Sequence, residues 1–269
     1  MLRDITIGQY YQTKSVIHDL DPRVKIVATL AFIIFLFLVD HLAGYVIAMA
    51  YLATIIYLSH VPMSFIFRGM KAIFMLLMIT VIFNIFLTPG ETLVSFWILN
   101  ITKEGLLMAF RMAIRLIFLI TGSSIMTLTT TPNQLTDGLE NLLNPLKKVK
   151  VPVHEISMMM AIALRFIPIL MEETDKIMKA QMARGADFET GGIIQKAKSL
   201  VPILVPLFIS AFRRANDLAM AMEARCYHGG DGRTKMKPLI YKKRDFIAYA
   251  ALVIFMTAMV ACGKIDFLT

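Results

Sequence analysis

Two short tripeptides carry the residues best suited to act on a partner protein: Ala183-Arg184-Gly185 and Ala224-Arg225-Cys226, whose arginines are 41 positions apart. Small neighbours leave each guanidinium accessible and allow a partner backbone to come close. The planar donor fork of a guanidinium suits carboxylates and the carbonyl groups at the end of a helix. A lone arginine at a helix C-terminus commonly does no more than complement the helix dipole. Two matching copies, which we call the arginine tips, instead predict docking to a partner with two similar faces, such as a dimer.

Motifs for catalysis, phosphate binding and metal binding are absent from the sequence. The glycine-rich run at 229–232 has no GK[ST] and follows no predicted strand, so it does not indicate a P-loop. There is no G-x-S-x-G or H-E-x-x-H motif, and the five histidines lack the spacing of metal ligands. The sequence therefore predicts a protein that is not an enzyme, has no cofactor or metal site, and acts through its partners.

The composition is that of a membrane protein. Of the 269 residues, 57% are hydrophobic and 17% are charged, which is more apolar than soluble domains usually are. Apolar stretches predict five transmembrane helices, at 24–39, 42–58, 72–87, 105–128 and 246–261. Nearly all Lys and Arg lie between or beside these stretches on one side, which puts the N-terminus in the cytoplasm. The net charge of +9 is explained in this way without a nucleic-acid partner.

The arginine tips must be positioned by two long helices within residues 153–228. Each helix begins almost wholly apolar and becomes charged toward its end. Their apolar parts, 156–171 and 200–212, are shorter than a comfortable membrane span. Prolines at 168, 202 and 206 are expected to kink or locally break these helices. We therefore expect both helices to lie on the cytoplasmic side and not to form a hairpin through the membrane.

The predicted fold is all-α, with about five transmembrane helices and a cytoplasmic set of three amphipathic helices. Asp21-Pro22 is a start signal for the first span, and Thr131-Pro132 is a start signal for a short amphipathic helix at 133–143. The apolar face of that short helix is expected to comprise four leucines, Leu135, Leu139, Leu142 and Leu143. The segment 89–104 is expected to be an outer loop, with Trp97 as an interfacial anchor.

This organisation predicts three domains along the chain. Residues 1–128 would be an N-terminal membrane domain with four spans. Residues 129–245 would be a cytoplasmic domain of coupling helices, and residues 246–269 would hold the C-terminal span.

Two arginines fall within the fourth predicted span. Arg111 and Arg115 are four positions apart and therefore share one face of the helix. We expect Arg111 to extend to the outer interface and Arg115 to face protein, with a carboxylate or a backbone carbonyl as its partner. The alternative is that both line an anion path, which would make the chain a stand-alone solute carrier or channel. The other spans are almost free of ionisable residues, and this argues against a transport path within the chain.

Several stretches, taken together, resemble the transmembrane T component of energy-coupling-factor (ECF) transporters, the EcfT/CbiQ family. They are DPRVK at 21–25, TTTP at 129–132, ALRFIP at 163–168, ARGAD at 183–187 and MEAR at 222–225. The resemblance covers essentially the whole chain, and the arginine tips are its most specific part. The third residue of the tip is usually glycine in that family, whereas the second tip of this chain has Cys226.

The resemblance implies a non-catalytic subunit of an ATP-driven importer in the plasma membrane of a prokaryote. Arg184 and Arg225, with the other residues of their tips, would each dock into one of two ABC-type ATPase subunits. A separate membrane protein, the S component, would bind the vitamin or the cobalt or nickel ion, and the absence of a long histidine-rich tract favours vitamins. The candidate contacts with the S component are apolar residues of the long helices: Met158, Met159, Met160, Val201, Leu204 and Phe208.

Overall fold

The computed structural model describes residues 10–38, 41–96, 99–188, 192–230, 236 and 238–265. Eight α-helices are present in this part of the chain: α1 (Pro22–Leu38), α2 (Leu42–Ser59), α3 (Met63–Leu87), α4 (Lys103–Thr129), α5 (Pro132–Leu143), α6 (Val153–Ala183), α7 (Ile193–Glu223) and α8 (Lys243–Ile265). A short 3-10 helix, Asn144–Val149, follows α5. The all-α, polytopic membrane fold is thus confirmed.

A small antiparallel hairpin joins α3 to α4. Its strands are β1 (Thr92–Phe96) and β2 (Leu99–Thr102), in the segment that was expected to be an outer loop. The side chain of Thr102 accepts a hydrogen bond from the backbone N–H of Gly105 at 3.0 Å and so caps the start of α4. Trp97, predicted to be an interfacial anchor, lies outside the described residues.

Four helices are long and apolar enough to cross a membrane: α2, α4, α6 and α8. The bent helix α3 makes a fifth if its two segments, Met63–Lys71 and Ile73–Leu87, count as one span. Helix α1 has 17 residues and corresponds to the first predicted span. Because α6 is among the four, its length and composition also suit a membrane helix. The cytoplasmic placement of 129–245 depends on the prolines and charges of this segment and stays a prediction.

The described residues form two compact units. One contains those of Leu143–Pro238, with α6 and α7, and the other contains those of 8–142 and 239–269, with α1 to α5 and α8. The core of the second unit lies among α1, α2, α4 and α8, where Phe32, Leu52 and Phe255 are buried. The predicted domain boundaries were drawn between membrane and cytosol. Packing within the chain does not locate the membrane, so these boundaries stay predictions.

Both helix start signals form caps of the expected kind. The Asp21 carboxylate accepts a 2.9 Å hydrogen bond from the backbone N–H of Arg23 at the start of α1. At the start of α5, the backbone N–H of Gln134 donates to Thr131 Oγ1 at 3.3 Å. The Gln134 side chain in turn accepts from the backbone N–H of Thr131 at 3.0 Å, which completes a reciprocal capping box.

Helix α5 is buried at a threonine and a glycine and not at its leucines. Thr136 and Gly138 are its buried residues, whereas Leu143 is exposed. A Cβ atom on Gly138 would lie 3.0 Å from the side chains of Ile26 and Pro22, so α5 approaches the start of α1 more closely than a larger residue allows. The leucine face expected from the spacing is therefore not the most buried face of this helix.

A buried polar cluster joins the start of α1 to the end of α4 and the start of α8. The Lys25 ammonium donates hydrogen bonds to the carbonyl oxygens of His18, at 3.0 Å, and Thr129, at 2.8 Å. The Asp245 carboxylate accepts from the backbone N–H groups of Asp21 and Lys242. Sequence reasoning did not predict this cluster, because its members lie far apart along the chain.

Candidate coupling surface on the two long helices

Helices α6 and α7 form an antiparallel pair. The carboxylate of Glu173 accepts a hydrogen bond from Ser210 Oγ at 2.9 Å and pairs with the guanidinium of Arg214. Eight residues further along α6, the Gln181 side chain donates to the carbonyl oxygen of Pro202 at 3.4 Å. Later residues of α6 therefore contact earlier residues of α7, so the two helices run in opposite directions.

This register puts the arginine tips at opposite ends of the pair. If this register continues along both helices, Arg184 faces a part of α7 that lies about 26 residues before Arg225. The two arginines are then separated along the helix axes by a distance on the order of 40 Å. Both helices run continuously through their internal prolines. The expected breaks at Pro168, Pro202 and Pro206 are therefore absent, and each tip is the end of one uninterrupted helix.

The first arginine tip ends α6 in a tight turn. The backbone N–H of Gly185 donates to the carbonyl oxygen of Met182, and that of Ala186 donates to Gln181, both at 3.0 Å. Gly185 has a φ of 89°, in the left-handed region. These two bonds and the left-handed residue define a Schellman motif, which satisfies carbonyl groups at the end of a helix.

The second arginine tip repeats the same turn 41 positions later. The backbone N–H of Cys226 donates to the carbonyl oxygen of Glu223 at 2.9 Å, and that of Tyr227 donates to Met222 at 3.1 Å. Cys226 has a φ of 53°. The substitution of cysteine for the usual glycine thus leaves the backbone turn intact, although a residue with a side chain is less stable in this conformation.

All six residues of the tips are exposed: Ala183, Arg184, Gly185, Ala224, Arg225 and Cys226. Within the described part of the chain, neither guanidinium donates a hydrogen bond or forms an ion pair to another residue. The structure therefore presents two unused guanidinium groups, each directly before a left-handed turn, at the two ends of one helix pair. This arrangement suits docking to two acceptor sites on a wide partner.

The predicted apolar contacts fall into two separate sets. Val201, Leu204 and Phe208 are exposed on α7, and Phe208 is 64% exposed. Met159 and Met160 are exposed on α6, and Met158 is partly buried. The antiparallel register directs the three methionines toward the C-terminal end of α7, so the structure does not bring the two sets into one patch.

An apolar groove of about 650 Å³ runs along α7. It contains Leu204 and Phe208 from the predicted set and Val205 between them, and it adds two residues that sequence reasoning missed, Ile209 and Phe212. Spacing of four along the helix could have identified them, because 204, 208 and 212 share one face, as do 205 and 209. Arg213 and Asn216 line the groove toward the second arginine tip.

The two arginines of α4 differ in burial. Arg111 is exposed and Arg115 is partly buried. The guanidinium carbon of Arg115 lies 5.7 Å from the ring centroid of Phe37, within the range of a cation–π contact. Arg115 thus contacts the C-terminal end of α1, as the expectation that it faces protein requires.

Known proteins match this chain over almost its whole length. The family model CbiQ, described as a cobalt transport protein, matches residues 13–236. Energy-coupling factor transporter transmembrane proteins EcfT are among the relatives. The protein from Clostridium kluyveri is 59% identical over 92% of this chain and 93% of its own length. The protein from Ruminiclostridium cellulolyticum is 52% identical over 99% and 100%.

A more distant relative extends the same agreement. The protein of that name from Bacillus subtilis is 44% identical over 96% of this chain and 100% of its own length. These matches confirm the resemblance that the motifs indicated. The chain therefore belongs to the EcfT/CbiQ family, the transmembrane proteins of energy-coupling-factor transporters.

Proposed function

We propose that this chain is the coupling subunit of an ATP-driven importer, in which each arginine tip docks into one of two ABC-type ATPase subunits. The observation that carries the proposal is the matched pair of turns at opposite ends of α6 and α7. Two ATPase subunits that approach each other on binding ATP would move the two ends of this helix pair. The N-terminus and residues 129–245 would be cytoplasmic, where the ATPases lie.

The second part of the proposal concerns the S component, the membrane protein that binds the cargo. Its contact with this chain would be the apolar surface of the long helices, which includes the groove on α7. Exposed Leu204, Val205 and Phe208 support this role, since a partner that covers them removes apolar surface from water or lipid headgroups. The cargo would be a vitamin, with cobalt or nickel ions as the other class that the family resemblance implies.

Removal of each guanidinium tests the docking of the ATPases. The variants are Arg184→Ala, Arg225→Ala and the double variant, co-expressed with the ATPases and the S component of the same organism. Lys179→Ala, an exposed cation of α6 before its tip, is the matched control. Loss of a charge-assisted contact at an interface should cost roughly 2–5 kcal/mol, so co-purification of the ATPases and uptake should fall by well over tenfold.

Normal ATPase co-purification and uptake in the double variant would rule out the proposal. The chain reconstituted alone in liposomes provides the test against a stand-alone carrier. We expect no solute flux without the ATPases and the S component. Flux through the isolated chain that depends on Arg111 and Arg115 would favour the carrier instead.

A further inference from the structure

A cavity of about 450 Å³ lies among α1, α2, α4 and α8. Its volume falls within the range of small-molecule sites in proteins. Most of its lining is apolar, and small residues create the space: Ala28, Ala50, Gly122, Ala248, Ala251 and Ala258. The lining also includes Tyr51 and Phe255, whose stacked rings have centroids 4.3 Å apart. The coupling proposal does not use this cavity.

The charged residues in the described lining are both cations, Lys25 and Arg244. Lys25 is only 6% exposed, and its ammonium donates to two neutral carbonyl oxygens, those of His18 and Thr129. No described carboxylate lies within ion-pair distance of it. The carboxylates of Asp19, Asp21 and Asp245 act on Lys25 only from beyond ion-pair distance, so a closer group of opposite charge would still stabilise this buried ammonium.

Arg244 offers a further donor at the same end of the cavity. One terminal nitrogen of its guanidinium pairs with Asp19 at 2.8 Å. Its Nε atom is buried and has no hydrogen-bond partner among the described residues. Lys25 and Arg244 together therefore favour an anion at this end, and phosphate oxygens suit both groups.

The open side of the cavity is apolar. Ile247 and Ile254 of α8 belong to its lining and are 70% and 67% exposed in the chain alone. Both belong to a helix that is long and apolar enough to cross a membrane, so hydrocarbon is their expected surrounding. A ligand that reaches the two cations from this side must combine an apolar tail with an anionic head.

We propose that the cavity binds one anionic phospholipid of the cytoplasmic leaflet. Its phosphate contacts Arg244 and Lys25, and one acyl chain follows the small residues of α8 toward Tyr51 and Phe255. The distribution of Lys and Arg puts the starts of α1 and α8 on the cytoplasmic side, where anionic lipids accumulate near basic residues. The lipid would fill a gap in the membrane helices and complete the surroundings of a buried cation.

Native mass spectrometry of the purified full-length chain tests this proposal. The chain is exchanged into micelles with equal amounts of phosphatidylglycerol and phosphatidylcholine. We expect one phosphatidylglycerol per chain, retained about tenfold more than phosphatidylcholine. Ala251→Leu fills the cavity and should reduce retention about tenfold, whereas the matched variant Ala250→Leu, on the same helix outside the lining, should not.

The head-group contact is tested by Arg244→Gln, which should abolish the preference for phosphatidylglycerol. If Arg244→Gln does not fold, comparison of Ala251→Leu with Ala250→Leu still tests whether lipid occupies the cavity, because both variants keep every charged residue. Equal retention by the two alanine variants would overturn the proposal. So would equal binding of both lipids, no retained lipid, or loss of the bound lipid on addition of inorganic phosphate alone.

Discussion

The backbone N–H of Asp21 donates a 2.8 Å hydrogen bond to the carboxylate of Asp245, 224 residues further along the chain. The second carboxylate oxygen of Asp245 accepts from the backbone N–H of Lys242, at 2.7 Å, just before α8 begins. Asp245 is 1% exposed. One buried side chain therefore caps the last helix and holds it against the first, and its two oxygens are both occupied by backbone donors.

We expect Asp245→Asn to destabilise the chain by about 2 kcal/mol. An amide has a single acceptor oxygen, so one buried N–H group of Asp21 or Lys242 would lose its partner. The unfolding midpoint of the purified chain in detergent measures the effect. Asp217→Asn, at an exposed position of α7, is the control and should leave the midpoint unchanged. An equal midpoint for both variants would show that the bond at Asp245 adds no stability.

The turns at the arginine tips should respond in opposite ways to exchange of their third residue. Cys226→Gly removes a side chain from a left-handed residue and should stabilise the end of α7 by up to about 1 kcal/mol. Gly185→Ala should destabilise the end of α6 by about the same amount, although no atom lies within 4 Å of the added Cβ. Thermal unfolding measures both effects. A Cys226→Gly variant that lost the ATPases as fully as Arg225→Ala would instead indicate a contact through the sulfur.

A charge in the groove on α7 should separate the two proposed partners. Phe208→Glu places a carboxylate among Leu204, Val205 and Phe212, so the S component should co-purify at least tenfold less, by roughly 1.4 kcal/mol or more. The ATPases should remain bound because the arginine tips are unchanged. Ala219→Glu, exposed on α7 outside the groove, is the matched control. Unchanged recovery of the S component with Phe208→Glu would exclude the groove as its contact.

Acid should weaken the polar cluster through His18. Burial lowers the pKa of His18, since it disfavours the charged imidazole. The neutral ring accounts for both of its bonds, with Nε2 donating to the Tyr11 carbonyl oxygen at 3.0 Å and Nδ1 accepting from Ser15 at 2.7 Å. An unfolded chain therefore binds a proton more readily than the folded chain. The contribution of His18 is present above its ordinary pKa of about 6.5 and is lost as the pH falls below that value.

The unfolding midpoint of the chain should accordingly fall as the pH is lowered below about 6.5, and His18→Asn should flatten this dependence. His60→Asn, at an exposed position with a φ of 53° that asparagine tolerates, should keep it. The carboxyl group of Asp21 should affect the stability of the chain only at lower pH. Burial of its carboxyl group opposes ionisation, but the hydrogen bonds from Arg23 outweigh this effect and hold the pKa of Asp21 below its ordinary value. Its contribution is lost only as the pH falls below about 4. An identical pH dependence in all variants would contradict this role of His18.

Local signals in the sequence predicted most of the helices and the starts of α1 and α5, whereas α3 begins at Met63, nine residues before the predicted span. Asp21 and Thr131 form the caps that their residue types favour, because a cap needs only neighbours within three positions. The positions of the arginine tips at helix ends could be predicted for the same reason. Continuity through the prolines could not, since surrounding packing decides whether a helix tolerates them.

Contacts between distant segments could not be predicted from one sequence. Nothing near Glu173 indicates that Arg214 will pair with it, and nothing near Asp245 indicates Asp21. The register of α6 against α7 depends on such pairs. The separation of the methionines at 158–160 from Leu204 and Phe208 therefore could not be predicted either. Gly138 shows the same limit, because its role depends on the closeness of α1 and not on the periodicity of α5.

The cysteine in the second turn gives this chain a native attachment point for a fluorescent dye. Its thiol is free and exposed, whereas the other cysteine, Cys262, is less accessible in α8. With Cys262 replaced by serine, a maleimide dye would report on the end of α7 without any foreign residue near the arginine. Quenching of that dye by a soluble collisional quencher would then show, in real time, whether the proposed ATPase partner covers this end of α7 during a cycle of nucleotide hydrolysis.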